Sequence, residues 1–277
     1  MFATRFAPSP TGYLHMGHAF SAWTAFEAAQ AAHGRFVLRI EDTDQTRCRP
    51  EFEAAIYEDL AWLGLDWEKP VRRQSAHMDD YGGALARLHE MGVLYRCFRT
   101  RKDLLDGLAA APHGFSAPDI VAPISAAEEE DLLAQNKPYA WRLSLSRAQA
   151  RLGAEWEHLG FEANGIWTKA EPERLGDIVL ARKEFPASYH LASVLDDGLQ
   201  AITHVIRGED LAEAAHIHVV LQALLGLPTP VYRHHRLILD AQGKRFAKRN
   251  QSVTLRSLRE SGTSLDQIRA RLGLSAA

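Results

Sequence analysis

Arg5-Phe6-Ala7-Pro8-Ser9-Pro10-Thr11-Gly12-Tyr13-Leu14-His15-Met16-Gly17-His18-Ala19 stands almost at the N-terminus, and the fold follows from what this stretch has to be. Before it, Met1 to Phe6 is apolar and reads as a strand. After it, Ala19, Phe20, Ala22, Trp23, Phe26 and Ala29 recur at helical spacing as far as Gly34, a C-terminal stop. Pro8, Pro10 and Gly12 exclude regular structure from the middle. The stretch is therefore a strand-to-helix turn, where α/β proteins hold phosphates. The first turn of the helix offers unpaired N–H groups and the positive dipole end, and His15 and His18 add imidazole donors three residues apart on one face. Gly17 has no side chain, so an adenine or ribose can approach the backbone there. A His-x-x-His pair alone would read as a helix start with surface histidines; the wording of the whole stretch favours the nucleotide.

Working outward, Arg35 to Ile40 is a second strand, with Phe36, Leu38 and Ile40 alternating, and it ends in Glu41-Asp42-Thr43-Asp44. Strand, helix and returning strand make a right-handed βαβ unit. The acidic cluster then falls at the carboxyl end of the second strand, beside the first turn, in the crevice where such folds bind ligands. Glu41, nearest the strand, is the ligand candidate. Asp42 and Asp44 read equally well as a solvated turn in which Asp44 caps the next element. Residues 51 to 64 form an amphipathic helix ending at Gly64, Leu65 to Pro70 is a connector, and Tyr81 to Met91 is a further amphipathic segment.

The 277 residues suffice for one large domain or two, and 46% hydrophobic content supports a packed core. A net charge of −3 gives no global attraction to nucleic acid, so any polyanion must be held by local basic patches. No apolar run approaches a membrane span and residues 1 to 6 lack signal-peptide character, so no membrane partner is expected. Two distant cysteines, Cys48 and Cys97, argue against a disulfide framework and for a reducing cytoplasm.

The first stretch, together with Arg39-Ile40-Glu41-Asp42-Thr43-Asp44 and the helix from Leu60 to Asp66, resembles the class I aminoacyl-tRNA synthetases of the glutamyl type. The resemblance implies an α/β, Rossmann-type catalytic domain with an inserted acceptor-binding-like module and a short helical C-terminal segment. The expected boundaries are residues 1–80 and 184–240 for the two halves of the catalytic domain, 81–183 for the insert, and 241–277 for a lysine loop and helical tail. Within the insert, Ala- and Pro-rich clusters between Cys97 and Lys137 suggest irregular structure. Relatives of this group commonly hold zinc there. Cys97 is followed by Phe98 and Arg99 with no later cysteine, and one thiolate with His113 is too few ligands, so zinc is expected to be absent.

Beyond the insert, Asp177 to Arg182, Tyr189 to Leu195 and Leu199 to Ile206 read as strands, the last two joined at a turn, Asp196-Asp197-Gly198. Arg207-Gly208-Glu209-Asp210 then opens a helix from Glu213 to Leu225, and Val231 to Leu239 is a further strand. Tyr189 and Arg207 match the family's amino-acid pocket. Glutamate needs a cation in fork geometry for its side-chain carboxylate and an acceptor for its ammonium. Arg5, Tyr189 and Arg207 are the carboxylate candidates, Glu41 and Ser9 the acceptors. The basic run Lys244-Arg245-Phe246-Ala247-Lys248-Arg249 stands where the family has a lysine-serine loop around the ATP phosphates. The serine has become Ala247 and the first lysine Arg245, while Lys248 keeps the cation. The resemblance thus implies activation of glutamate by ATP with Mg2+, His15 and His18 stabilising the α-phosphate, Lys248 the leaving pyrophosphate, and Gly17 adjoining the nucleotide. No other metal is expected.

After Asn250 only two short amphipathic segments remain, Val253 to Glu260 and Leu265 to Leu272, where a glutamyl-tRNA synthetase continues into a helical anticodon-binding domain. In this the chain is similar to the truncated branch of the family, which esterifies glutamate to the queuosine base at the wobble position of tRNA(Asp). Two other readings stay open: a truncated glutamyl-tRNA synthetase charging a tRNA 3′ end, and a non-catalytic tRNA or amino-acid binder.

Overall fold

The computed structural model describes residues 1–99, 123–182, 186–238 and 253–274. Strand β1 (Ala3–Phe6) is buried along its whole length and pairs in parallel with β2 (Arg35–Ile40), Ala3 opposite Arg35 and Phe6 opposite Leu38. The helix between them, α1 (Met16–Ala31), packs Ala19, Ala22, Trp23 and Ala29 under the sheet. Helix α2 (Pro50–Trp62), with Pro50 in its first turn, crosses to β3 (Glu68–Arg73), which pairs in parallel with β2. The connector expected at residues 65–70 thus gives way to a strand from Glu68. Its Glu-Lys-Pro opening hides the pattern, and Pro70 sits where an edge strand tolerates it.

The 3-10 turn Gln74–His77 leads into α3 (Met78–Glu90) and β4 (Leu94–Cys97). Then come α4 (Ala126–Ala134), β5 (Ala140–Leu143), α5 (Leu145–Leu152), the hairpin of β6 (Gly160–Ala163) and β7 (Ile166–Lys169), and β8 (Val179–Arg182). β4, β5 and β8 form a small antiparallel sheet. The second half of the fold consists of α6 (Tyr189–Leu199), β9 (His204–Gly208), α7 (Ala214–Leu225) and β10 (Val231–His235). β9 and β10 run parallel, and β6 joins β10. The β1-β2-β3 sheet and the four-stranded sheet meet along β1 and β9, where the Ala3 N–H donates to Thr203 Oγ1 at 2.9 Å and the Thr203 N–H to the Ala3 carbonyl at 2.9 Å. The carboxyl ends of β1, β2 and β9 consequently open toward one crevice. The tail adds α8 (Leu255–Glu260) and α9 (Leu265–Leu272), each N-capped by a hydroxyl, Thr254 and Ser264.

A second sequence expectation fails here. Tyr189 to Leu195 is helix, not strand, and Asp196-Asp197-Gly198 is its last turn, not a hairpin. Ser188 accepts the Leu191 N–H and starts the helix. Residues Leu191 through Asp197 are all buried, which erases the polar face that would have given a helical period. Of the expected strand from Leu199 to Ile206, only the part from His204 is strand. Gly198 serves close packing, since a Cβ there would lie 2.8 Å from Leu227 Cδ2.

Candidate active site

A cleft of about 530 Å³ opens at the carboxyl ends of β1, β2 and β9, and Arg5, Ser9, His15, Gly17, His18, Glu41, Tyr189 and Arg207 all line it. Every sequence-derived site residue among those described is therefore in one place. Lys248, with Lys244, Arg245 and Arg249, lies outside the described residues, as does His113.

The signature turn shapes one side of the cleft. His15 is the N-cap of α1 in extended conformation, and its Nδ1 accepts the Gly17 N–H at 3.2 Å. His18 Nδ1 in turn accepts the His15 N–H at 3.1 Å, completing a capping box with imidazoles in both positions. The ring centroids stand 3.8 Å apart. A neutral imidazole that accepts at Nδ1 carries its proton on Nε2, so each ring presents a donor on the side away from the cap. Gly17 is glycine first for a local reason: a Cβ would sit 3.2 Å from the His15 ring. Behind the turn, the Glu41 N–H donates to the Pro8 carbonyl at 3.1 Å and the Arg49 N–H to the Pro10 carbonyl at 3.0 Å, so the acidic strand end is laced to the signature.

The tail is fastened to the same turn. His15 forms an antiparallel bridge with Thr254, the Leu255 N–H donates to the Leu14 carbonyl at 2.8 Å, and Arg256 donates to the Tyr13 hydroxyl at 3.0 Å. On the other side of residues 239–252, Leu237 and Ile238 line the cleft, and the Leu237 N–H donates to Glu209 at 3.3 Å. The described residues flanking 239–252 on both sides therefore adjoin the cleft or its turn.

The three carboxylates after β2 separate into different duties. Asp42 is buried and accepts from the Ser75 N–H at 2.8 Å and from the Ser75 hydroxyl, so it is a structural anchor and not a solvated turn. Asp44 accepts from the Thr46 hydroxyl at 2.6 Å and from Arg47. Slight burial opposes ionisation there, but these donors outweigh it and hold the carboxyl below its ordinary range. Asp44 lines a second cavity of about 370 Å³ that shares Ser9, Glu41, Arg47 and Tyr189 with the first. Glu41 is 12% exposed at its side chain and accepts from Arg39 at 3.2 Å. Burial pushes its carboxyl up in spite of the nearby Arg39 and Arg5 charges.

The two arginines expected to hold carboxylates, Arg5 and Arg207, are not equivalent. Arg5 Nε is paired with Asp197 at 3.1 Å and its Nη1 donates to the Ile206 carbonyl at 3.4 Å. Arg207, 4% exposed, has neutral partners: its Nη1 donates to the Tyr189 hydroxyl at 3.1 Å, its Nε to His234 Nε2 at 3.3 Å, and the guanidinium lies 5.2 Å above the Tyr232 ring. Its Nη2 has no hydrogen-bond partner among the described residues. Burial and the Arg207 charge press the His190 and His234 imidazoles down to about 4, and push His218 well below its ordinary value. The histidines around Arg207 therefore stay uncharged at neutral pH. A buried cation of this kind lacks a counter-charge that a ligand carboxylate would supply.

Sequence reasoning missed the layer beneath. Arg39 is fully buried and donates to Asp197 at 2.8 Å, to Gln200 at 3.1 Å and to Glu41. Burial works against its charge, but Asp197, Glu41 and Asp196 overcome it and lift the guanidinium above its ordinary value. Burial likewise opposes ionisation of Asp197, and Arg5 and Arg39 outweigh it to hold the carboxyl low. Asp196 accepts from Arg72 at 2.7 Å, Gln74 at 2.9 Å and the Tyr81 hydroxyl at 2.9 Å. A signal was present: Arg5, Arg39 and Arg72 each sit inside a strand, and buried arginines require carboxylates somewhere. Among the described residues no group of three or more His, Cys, Asp or Glu is arranged to hold a metal.

The profile of tRNA synthetases class I (E and Q), catalytic domain, matches residues 1–274. A glutamyl-Q tRNA(Asp) synthetase of Rhodobacter capsulatus is 46% identical over 98% of this chain and 99% of its own length. A glutamate–tRNA ligase of Ruegeria is 37% identical over 99% of this chain but only 62% of that protein. The crystal structure of glutamate-tRNA synthetase from Elizabethkingia anophelis superposes with a TM-score of 0.74 at 28% identity, covering 94% of this chain and 54% of the other. That of Elizabethkingia meningosepticum, in complex with its amino acid, gives 0.71 at 28% identity over 94% and 53%. The chain spans about half the length of these two solved structures.

Proposed function

From the premise that this chain belongs to the class I tRNA synthetases of the glutamate and glutamine group, we propose that it activates glutamate with ATP and esterifies it to the queuosine base of tRNA(Asp). The observation that carries the amino-acid choice is Arg207, a buried guanidinium with an unsatisfied Nη2 and no carboxylate partner among the described residues. Glutamate brings that carboxylate; glutamine does not. The acceptor is supported by the relative that matches along its full length, since its name specifies glutamyl-Q tRNA(Asp).

In this reading Arg207 and the Tyr189 hydroxyl receive the side-chain carboxylate, while Glu41 and Ser9 accept from the ammonium. Arg5, already compensated by Asp197, orients more than it charges. The α-carboxylate oxygen attacks the α-phosphorus of ATP, a new O–P bond forms, and the bond to pyrophosphate breaks. Negative charge grows on the non-bridging oxygens during this exchange. His15 and His18 meet it with Nε2–H donors whose rings are fixed by the helix cap, and fixed donors lose no reorganisation energy as the charge develops. Gly17 keeps the backbone open beside them, and Lys248 stabilises the leaving pyrophosphate. Mg2+ would enter on the ATP phosphates, to which it lends charge neutralisation. The second cavity, reaching from Ser9 and Glu41 past Asp44 to Ser188, is the place for the acceptor nucleoside, whose hydroxyl takes the acyl group as AMP departs. Residues 81–183, read as the connective insert, flank that cavity through Val179, Ala181 and Arg182. No described helix is long and apolar enough to cross a membrane.

Glutamate-dependent exchange of pyrophosphate into ATP, assayed without tRNA, tests the activation half. Transfer of labelled glutamate to queuosine-containing tRNA(Asp), abolished by periodate oxidation of the queuosine diol, tests the acceptor. Charging that survives this oxidation and requires the 3′ end would overturn it.

A further inference from the structure

Two consecutive carboxylates, Asp196 and Asp197, are buried at the end of α6, and the activity above assigns neither of them a task. Both are sunk among arginines, at 0% and 6% exposure. Consecutive residues of a helix project about 100° apart, so the two side chains face different partners. Asp196 looks toward β3 and α3, where it collects Arg72, Gln74 and the Tyr81 hydroxyl, and it meets Arg39 only through an ion pair of 3.6 Å to Nε that is not a hydrogen bond. Asp197 looks toward the cleft. Its Oδ1 receives both Arg5 Nε at 3.1 Å and Arg39 Nη1 at 2.8 Å. The other terminal nitrogen of Arg39 reaches Glu41 at 3.2 Å.

We infer that Asp197 is a positioning residue of the amino-acid pocket, holding Arg5 directly and Glu41 by way of the hydrogen-bonded Arg39 guanidinium, whereas Asp196, whose contact with Arg39 is the longer and unbonded one and which has none with Arg5, chiefly joins the strands and α3. The inference rests on the proposed glutamate reading of the cleft. A planar guanidinium that bridges two carboxylates fixes their separation, which a flexible ammonium would not do. Asp197 thereby sets where Glu41 meets the ligand's amino group. It also cancels the charge of Arg5, so that Arg207 remains the uncompensated cation. Without the Asp197 charge, Arg39 and Arg5 both turn their attraction on Glu41, and the ammonium loses its acceptor. The same helix carries Tyr189 at its first turn, so one rigid element orients the pocket from both ends.

The test compares Asp197→Asn with Asp196→Asn, two equally buried neutralisations at adjacent positions. Binding of glutamate and of glutarate, which lacks the amino group, is measured by calorimetry on the intact chain, alongside thermal unfolding and KM values in pyrophosphate exchange. Asp197→Asn is expected to weaken glutamate tenfold or more, to leave glutarate and the KM for ATP within about twofold, and so to shrink the preference for the amino group. Asp196→Asn is expected to lower the unfolding temperature and to keep that preference. Arg39→Lys, which retains charge but cannot bridge, should reproduce the Asp197→Asn pattern and serves if the latter does not fold. Equal losses for glutamate and glutarate, or the same pattern in both aspartate variants, would sink the inference. Wild-type binding of glutamate without exchange would instead count against the assigned activity and leave the positioning role standing on the binding data.

Discussion

His18 accepts the backbone N–H of His15 through Nδ1 at 3.1 Å, so one imidazole closes the helix cap while lining the cleft, where its other nitrogen is the one proposed to meet the phosphate. The two duties separate by substitution. In His18→Asn the amide oxygen takes the place of Nδ1 and keeps the cap, but nothing replaces Nε2. Pyrophosphate exchange is expected to fall about 10²-fold with little change in unfolding temperature. In His18→Ala both the cap acceptor and the Nε2 donor are lost, which adds about 1 kcal/mol of destabilisation to a similar loss of rate. Equal damage to both properties in both variants would show that the ring has a single role.

Arg207 should decide charge at the amino-acid side chain. Arg207→Gln is expected to raise the KM for glutamate about 10²-fold or more, because the carboxylate would be buried without a counter-charge, and to leave the KM for ATP unchanged. Exchange supported by glutamine, negligible in the parent, should rise relative to that supported by glutamate. Parallel assays with the two amino acids measure it.

Glu41 gives the pocket a pH dependence whose sign is set by its surroundings. Burial raises its carboxyl above the ordinary range, against the pull of Arg39 and Arg5. It therefore takes up a proton at a higher pH than a surface glutamate, and the ammonium of the ligand loses its acceptor as it does. The KM for glutamate should climb on acidification, beginning above the usual carboxylate range. In Glu41→Gln the KM should be high and flat across the same interval.

Asp59, on α2, is fully buried. Neither of its oxygens has a hydrogen-bond partner among the described residues, and Arg259 of α8 stands 3.4 Å away. Burial pushes its carboxyl up to about 6, with Arg259 only partly opposing this. The folded chain thus holds the proton more tightly than the unfolded one between about pH 4 and 6, and stability falls as pH rises through that window. Asp59→Asn should stabilise the protein at pH 7 by about 2 kcal/mol and have little effect at pH 4. Chemical denaturation at the two pH values reads this directly.

The turn from Arg5 to Ala19 and the strand end at Glu41 were legible because their function depends on local backbone: prolines, a cap and a strand terminus are all written in adjacent residues. Arg207 was legible as a position, but its isolation from carboxylates belongs to residues scattered over α6, β10 and α7. Asp196 and Asp197 were misread for a physical reason. Paired aspartates before a glycine normally mark a solvated turn, and only the arginines of three other strands make burial tolerable. A helix buried on every side likewise loses the alternation by which helices are recognised, which is why Tyr189 to Leu195 resembled a strand.

The tie between His15 and Thr254 makes the tail an active-site component despite its distance along the chain. Ile238 lines the cleft and Thr254 is bridged to His15, so the described residues on both sides of 239–252 adjoin the signature turn's site. Substitutions that unseat α8, such as at Leu255 or Arg256, should then present in an assay or a genetic screen as defects in ATP use, though no residue of that helix need ever touch the nucleotide.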